Sequence, residues 1–211
     1  MRNDLLPDRK DFYIQTNNER DPFSACQRTA GAQCLDVIGE VSRIPGPYKQ
    51  PEDNIDWLAN DRKSPFYEEL QMLAYRSHGP GGGVPGQVGN ILEWADVLCA
   101  AINKAVGYTA AAYHTFNAEQ IVAEIDKGLP VMVSCRFNPY IDNDGKKRWK
   151  IPGHYISVVG YEDKEDGRYM IIADPYKNTL KNEPDGFGVL YSPKDWADHY
   201  KGYGLRFYKR A

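Results

Sequence analysis

Three residues in the 211-residue chain have the types and settings for nucleophilic catalysis. Cys26 follows a polar loop and opens the run C-Q-R-T-A-G-A-Q-C-L-D-V-I. Cys26, Ala30, Cys34 and Val37 recur there at three- and four-residue steps, which predicts a helix over Cys26 to Ile38 ended by Gly39. A helix N-terminus favours an anion, because its N–H groups are unpaired and the dipole points that way. His154 stands in P-G-H-Y-I-S-V-V-G-Y, where a strand begins, and Asp174 follows the apolar run Y-M-I-I-A. Two strands, about Tyr155 to Tyr161 and Tyr169 to Ala173, joined by the polar turn E-D-K-E-D-G would form a hairpin. That hairpin returns Asp174 close to His154, the separation that a base and its orienting carboxylate need. A thiol at a helix start beside an imidazole is the general arrangement of a thiolate nucleophile.

The elements that must position these groups divide the chain. Ile55 to Ala59 and Pro65 to Tyr75 read as short helices, after a Pro- and Gly-rich connection from Arg43 to Asn54. Asn90 caps a helix expected from Ile91 to about Val106, and Asn117 with Gln120 forms a capping box for a helix ending near Lys127-Gly128. Strands are expected at Val131–Phe137, Ile156–Tyr161, Tyr169–Ala173, Phe187–Leu190 and Leu205–Tyr208, and Ser192-Pro193 with Asp195 opens a short helix. A helical half over about residues 1–128 thus precedes a sheet half over about 129–211. The reading is a single α+β domain with two lobes and a cleft between them.

Composition excludes several classes. Apolar residues are 42% and aromatics 12%, too many for a disordered chain. Lys plus Arg number 26 against 29 Asp plus Glu, which argues against a nucleic-acid binder. No apolar stretch approaches the length of a membrane span or of a signal peptide's core. The 15 tyrosines stand out; Tyr13, Tyr155, Tyr161, Tyr169 and Tyr176 fall near the three reactive residues and are expected around the cleft.

Other residues read more plainly. Cys34 and Cys99 lie on apolar helical faces and Cys135 lies inside a strand, so all three are expected in the core. His78, His114 and His199 lack companion motifs and read as surface or loop residues. The Gly-rich run H-G-P-G-G-G-V-P-G-Q-V-G lacks the ending of a phosphate loop and reads as a loop beside a groove. Asp142-Asn143-Asp144-Gly145 lacks the spacing of a calcium loop and reads as a hairpin turn. The basic run Lys146, Lys147, Arg148 and Lys150 around Trp149 reads as a solvated turn, or as an edge that meets an anionic polymer. Cys and His spacings match no zinc motif.

The strings D-F-Y-I-Q, A-C-Q-R-T, G-L-P-V-M-V-S, G-H-Y-I-S-V-V-G-Y and I-I-A-D-P-Y together resemble the C39-like branch of the papain-like cysteine peptidases. The resemblance covers both ends of the catalytic core and leaves roughly Arg43 to Thr115 unexplained. It implies a papain-like fold, with Cys26 as nucleophile, His154 as base, Asp174 as its orienting carboxylate and Gln15 as oxyanion donor. No cofactor and no metal are implied. Two departures stand against it. Gln27-Arg28-Thr29-Ala30 follows the cysteine where the family more often shows G-P-T-S, and Gln15 lies eleven residues ahead of Cys26 across a long loop. Asn17 or Asn18 therefore competes with Gln15 for the oxyanion role.

The family divides by substrate. The expectation for this chain is a peptidoglycan endopeptidase of the phage endolysin kind, cutting peptide stems or cross-bridges of the bacterial wall. Such an enzyme would be made in the bacterial cytoplasm and would reach the wall through a pore formed by a separate protein. A cytoplasmic or effector-type protease acting on proteins or leader peptides is a competing reading. A non-catalytic peptide- or glycan-binding module on the same fold is another. The bond cut and the role of residues 79–89 stay open at this level.

Overall fold

The apolar runs of the second half assemble into one sheet. The computed structural model describes residues 2–5, 13–20, 25–78, 92, 94–106 and 111–208. The described strands are β1 (Arg2–Asp4), β2 (Ala111–Thr115), β3 (Val131–Ile141), β4 (Lys147–Lys164), β5 (Gly167–Ala173), β6 (Phe187–Tyr191) and β7 (Tyr200–Phe207). They form a seven-stranded antiparallel sheet in the order β2-β7-β3-β4-β5-β6. The long β4 pairs with β3 along its first part and with β5 along its second, and β1 joins it at Gly160–Glu162.

Both faces of the sheet are covered, so its central strands are apolar throughout rather than alternating. Period two decides which residue enters which core. Met132, Tyr155, Leu205 and Phe207 face a layer of helices. Val131, Val133, Cys135, Phe137, Ile156 and Val158 face the opposite side, under α5 (Ala118–Ile125) and α6 (Pro193–His199). The helical layer is α1 (Cys26–Val37), α2 (Pro51–Asn60), α3 (Tyr67–His78) and α4 (Ala95–Val106). Its Leu35, Ile55, Leu58, Leu98 and Ile102 are fully buried, each contributing about 2 kcal/mol.

Local chemistry sets the helix ends. Gly39 at φ +79° closes α1, donating to Asp36 O while Glu40 N donates to Leu35 O. These are the two bonds of a Schellman motif. The capping boxes at Asn117/Gln120 and Ser192/Asp195 are both formed, and Asp142–Gly145 is a turn between β3 and β4.

Several boundaries differ from the sequence reading. Residues 51–54 are helical rather than connecting chain, because Pro51 occupies the first turn of α2 with Glu52 and Asp53 behind it. The fourth helix begins at Ala95, and Asn90 lies outside the described residues, as does the loop 79–89. Strands β1 and β2 went unread, since their pairing partners are remote in sequence.

Glu52 is fully buried in α2. Burial raises its carboxyl to about 7, and Asp53 adds to the rise while Arg28 opposes it. An unfolded glutamate ionises near 4.5. Folding stability therefore falls as pH rises from that value to about 7, since the folded state holds the extra proton. Glu52→Gln is expected to stabilise the protein by about 3 kcal/mol above pH 7 and by little near pH 4.5. Urea unfolding at the two pH values measures this, and an equal effect at both would refute it.

Candidate active site

The chain brings Cys26, His154 and Gln15 to one cleft, with Asp174 buried behind His154. Cys26 is the first residue of α1, and Ala25 at the N-cap offers no side-chain cap. Ser157 of β4 holds the helix against the sheet: its hydroxyl lies 3.0 Å from Ala30 O and 2.9 Å from Gln33 Oε1. Gln33 Nε2 donates in turn to Tyr13 O at 2.8 Å. One buried glutamine thus ties α1, β4 and the entry to the 3₁₀ turn Gln15–Asn17 together.

His154 sits opposite Cys135 in the β3/β4 register. Asp174 follows the last residue of β5. A one-residue register shift in β4 between Val158 and Gly160 brings Asp174 level with Ile156, two positions from His154, and the side chains meet. His154 Nε2 lies 2.8 Å from Asp174 Oδ1. The other ring nitrogen is free of Asp174, and the Cys26 side chain favours the charged imidazole; the thiol itself hydrogen-bonds to Gln27 Oε1 at 3.5 Å. Phe137 meets the imidazole edge-on at 5.9 Å between centroids.

Burial disfavours charge on His154, but the Asp174 carboxylate and the Cys26 side chain outweigh it and lift the imidazole to about 10. Asp174 is 1% exposed. Burial pushes its carboxyl up, but His154 and the N–H groups of Tyr176 (3.1 Å) and Thr179 (3.0 Å) hold it below the usual carboxylate value. The other cysteines are unlike Cys26 in setting. Burial raises Cys34 to about 12 and Cys135 higher still. Cys99 is only half-buried, so the core reading holds for two of the three.

Gln15 is buried and lines the cleft with Cys26 and His154. Its N–H donates to Pro175 O at 2.7 Å, which joins the Gln15 turn to the chain after Asp174. Asn17 is exposed, and Asn18 Nδ2 is engaged with Thr29 Oγ1 at 3.2 Å. Of the three, Gln15 is the one that lines the cleft.

The long interval between Gln15 and Cys26 is held by residues that no motif announced. Asp53 of α2 accepts from the N–H groups of Glu19 and Arg20 at 2.9 and 3.1 Å. Asp56 pairs with Arg20 and, at 3.1 Å, with Arg28. Arg28 also donates to Arg20 O. Arg28, which departs from the family pattern, is therefore a buried clamp on this segment. Asp53 and Asp56, three residues apart in α2, carry no signal until Glu19 and Arg20 fold onto them.

Gly186 packs directly on Asp174. A Cβ at that position would lie 2.4 Å from Asp174 O and 3.0 Å from Asp174 Cβ, and Asp174 N–H donates to Gly186 O at 2.9 Å. Gly186→Ala must displace the carboxylate. The expected result is a loss of about 10²-fold in kcat with KM nearly unchanged, read by steady-state kinetics; full activity would show that this contact does not position Asp174.

The cleft has a volume of about 620 Å³. Tyr155, Tyr176 and Tyr203 line it. Tyr161 and Tyr169 do not: their hydroxyls bind Asp126 and Asp166 at the far end of the hairpin, and Tyr13 packs into the helical core. His199 also differs from expectation. It is half-buried, bonded to Arg136 O at 2.7 Å and stacked on Phe137 at 5.0 Å. His78 likewise has partners, Asp96 at 2.9 Å and the ring of Trp94 at 3.8 Å.

A helical layer on an antiparallel sheet, with a thiol at a helix start near an imidazole that a carboxylate holds, is an arrangement suited to a cysteine peptidase. The model of the Peptidase_C39 like family matches residues 10–200, and the chain belongs to that family. It is a cysteine peptidase, a hydrolase. A crystal structure described as that of a C39-like peptidase from Bacillus anthracis shares 17% identity with a TM-score of 0.57, covering 100% of this chain and 99% of that one. Bromelain from Ananas comosus gives 10% identity and a TM-score of 0.44 over 98% of this chain and 97% of its own. Procathepsin L2 from Tenebrio molitor gives 9% and 0.46 over 97% and 65%. These two are too distant to carry an argument. No curated protein matches the chain in sequence. Among the described residues no helix is long and apolar enough to cross a membrane.

Proposed function

We propose that Cys26, His154, Asp174 and Gln15 hydrolyse peptide bonds of bacterial peptidoglycan. The observation that carries the chemistry is His154 seated between the Cys26 thiol and Asp174 on the wall of one cleft. His154 takes the thiol proton on the ring nitrogen that Asp174 does not occupy. The thiolate attacks the carbonyl carbon, and the oxyanion is met by the Gln15 amide and the Cys26 N–H. The imidazolium then protonates the leaving amine, and a thioester remains on Cys26. Water, losing a proton to His154, attacks the thioester and releases the acid. Asp174 stays ionised and orients the ring.

The choice of a wall polymer rests on the strand that forms the cleft edge. Beyond Ile151 and Pro152, β4 continues as an arm whose Lys147, Arg148 and Lys150 are exposed. Arg136 and Lys147 lie against the Trp149 ring at 4.6 and 4.7 Å, and Tyr140 and Ile141 are exposed on the facing strand. A basic, aromatic arm leading into a cleft suits an extended anionic polymer. In this reading the enzyme is endolysin-like: it is made in the bacterial cytoplasm and passes to the wall through a pore formed by a separate protein. Mass spectrometry of digested sacculi tests the proposal. New amino and carboxyl termini within stem or cross-bridge peptides are expected. Intact sacculi alongside cleaved denatured protein would favour a general protease instead.

A further inference from the structure

Strand β7 departs from regular pairing beside the cleft. Tyr200 pairs with Cys135 and Gly204 with Val133, so four residue steps in β7 oppose two in β3. Gly202 sits inside this bulge at φ +87°, a conformation that glycine adopts without strain. Bulges bend a strand and re-aim its side chains. Here Lys201 and Tyr203, on either side of Gly202, both line the cleft that holds Cys26 and His154.

Lys201 is held in place. Its Nζ lies 3.3 Å from Pro152 O, two residues before His154, and 5.2 Å from the Tyr203 ring centroid. The Tyr203 hydroxyl faces Lys201 and Tyr155. Yet among the described residues the ammonium has no carboxylate partner: the lysine ion pairs there use Lys104, Lys127 and Lys194. Among the described residues that line the cleft, none is acidic. A half-buried cation fixed by a carbonyl and an aromatic ring, and open to the cleft, is set up to receive an anion.

We infer that Lys201 is a specificity-determining residue that takes a carboxylate of the substrate next to the bond being cut. This rests on the reading of Cys26 as the nucleophile of the same cleft. The carboxylate comes either from a wall peptide or from an acidic side chain of a protein, and the test separates the two.

The first arm needs no substrate. Wild type, Lys201→Met, Lys201→Arg and Lys201→Glu are alkylated in parallel with iodoacetate and iodoacetamide, and the Cys26 adduct is quantified by peptide mapping. The iodoacetate-to-iodoacetamide rate ratio is expected to fall about five-fold in Lys201→Met and further in Lys201→Glu. Lys201→Arg should keep the wild-type ratio, and iodoacetamide rates should stay within about two-fold throughout, showing an intact site. An unchanged ratio in both Met and Glu variants overturns the inference. The second arm compares peptidoglycan and denatured casein, each with free carboxylates and after carbodiimide-driven amidation. Wild type should lose about ten-fold on amidation, and Lys201→Met should cut both forms alike. Dependence seen with casein while peptidoglycan stays intact overturns the wall substrate and supports Lys201. Indifference of wild type to amidation on a polymer it cuts overturns Lys201. If neither polymer is cut, the substrate reading falls and the alkylation ratio alone decides for or against Lys201.

Discussion

Cys26→Ala is expected to remove hydrolysis of peptidoglycan by at least about 10⁵-fold while leaving the fold intact. The magnitude is that of deleting a nucleophile from a triad that acts as a unit, where the residual rate comes only from binding and the oxyanion hole. No other thiol substitutes. Cys34 and Cys135 are buried, and that burial holds their protons on. Cys99 packs in the helical layer, beside Asn103 of its own helix. The structural cost is small, because Cys26 stands where the helical core meets the cleft and alanine removes a single atom there. Release of new peptide termini from sacculi gives the rate, and circular dichroism melting gives the stability. Wild-type clearing by Cys26→Ala would show that the nucleophile lies elsewhere.

Asp174→Asn is expected to lower kcat by roughly 10⁴, the size seen when a triad's carboxylate is replaced by its amide. An amide cannot balance the imidazolium, and it can present the wrong edge to His154 and to the N–H groups of Tyr176 and Thr179. Burial is then opposed by the Cys26 side chain without the carboxylate, and the His154 pKa falls from about 10. Stability follows with a definite sign. The raised imidazole contributes stability that is fully present below its unfolded value of 6.5 and is lost as pH rises through about 10. The lowered carboxyl contributes stability present above its unfolded value of 3.8 and lost as pH falls through its folded value. The gap between wild type and Asp174→Asn should therefore be widest between about pH 4 and 6.5 and narrow toward pH 10. It should reach about 3 kcal/mol, the scale of breaking a buried ion pair. Urea midpoints across pH and an NMR titration of the His154 ring measure both effects. A variant with the wild-type imidazole pKa would show that Asp174 does not hold the charge.

How much was legible before folding depends on how local each cause is. The caps at Asn117 and Ser192, the stop at Gly39 and the turn at Asp142–Gly145 are written in a few adjacent residues, and all formed. Motifs placed Cys26, His154 and Asp174 correctly relative to one another, because a helix start and a hairpin are short-range devices. Reading Pro51–Asn54 as connection failed where proline marks a helix start as readily as a break. Assigning Tyr161 and Tyr169 to the cleft failed because proximity along a hairpin is not proximity to its open end.

By itself, then, the sequence determined the α+β order and the main strands of the sheet, and it singled out the groups proposed to react. Only the tertiary structure decided what holds those groups at working distance. Asp53 and Asp56 grip the Gln15-to-Cys26 interval from another helix. Gly186 gives Asp174 its room, and the β7 bulge sets Lys201 against Pro152 O at the cleft. Each is a contact between segments remote along the chain. Its energy depends on close approach in space, and no local propensity or periodicity registers that until the sheet and the helical layer have packed.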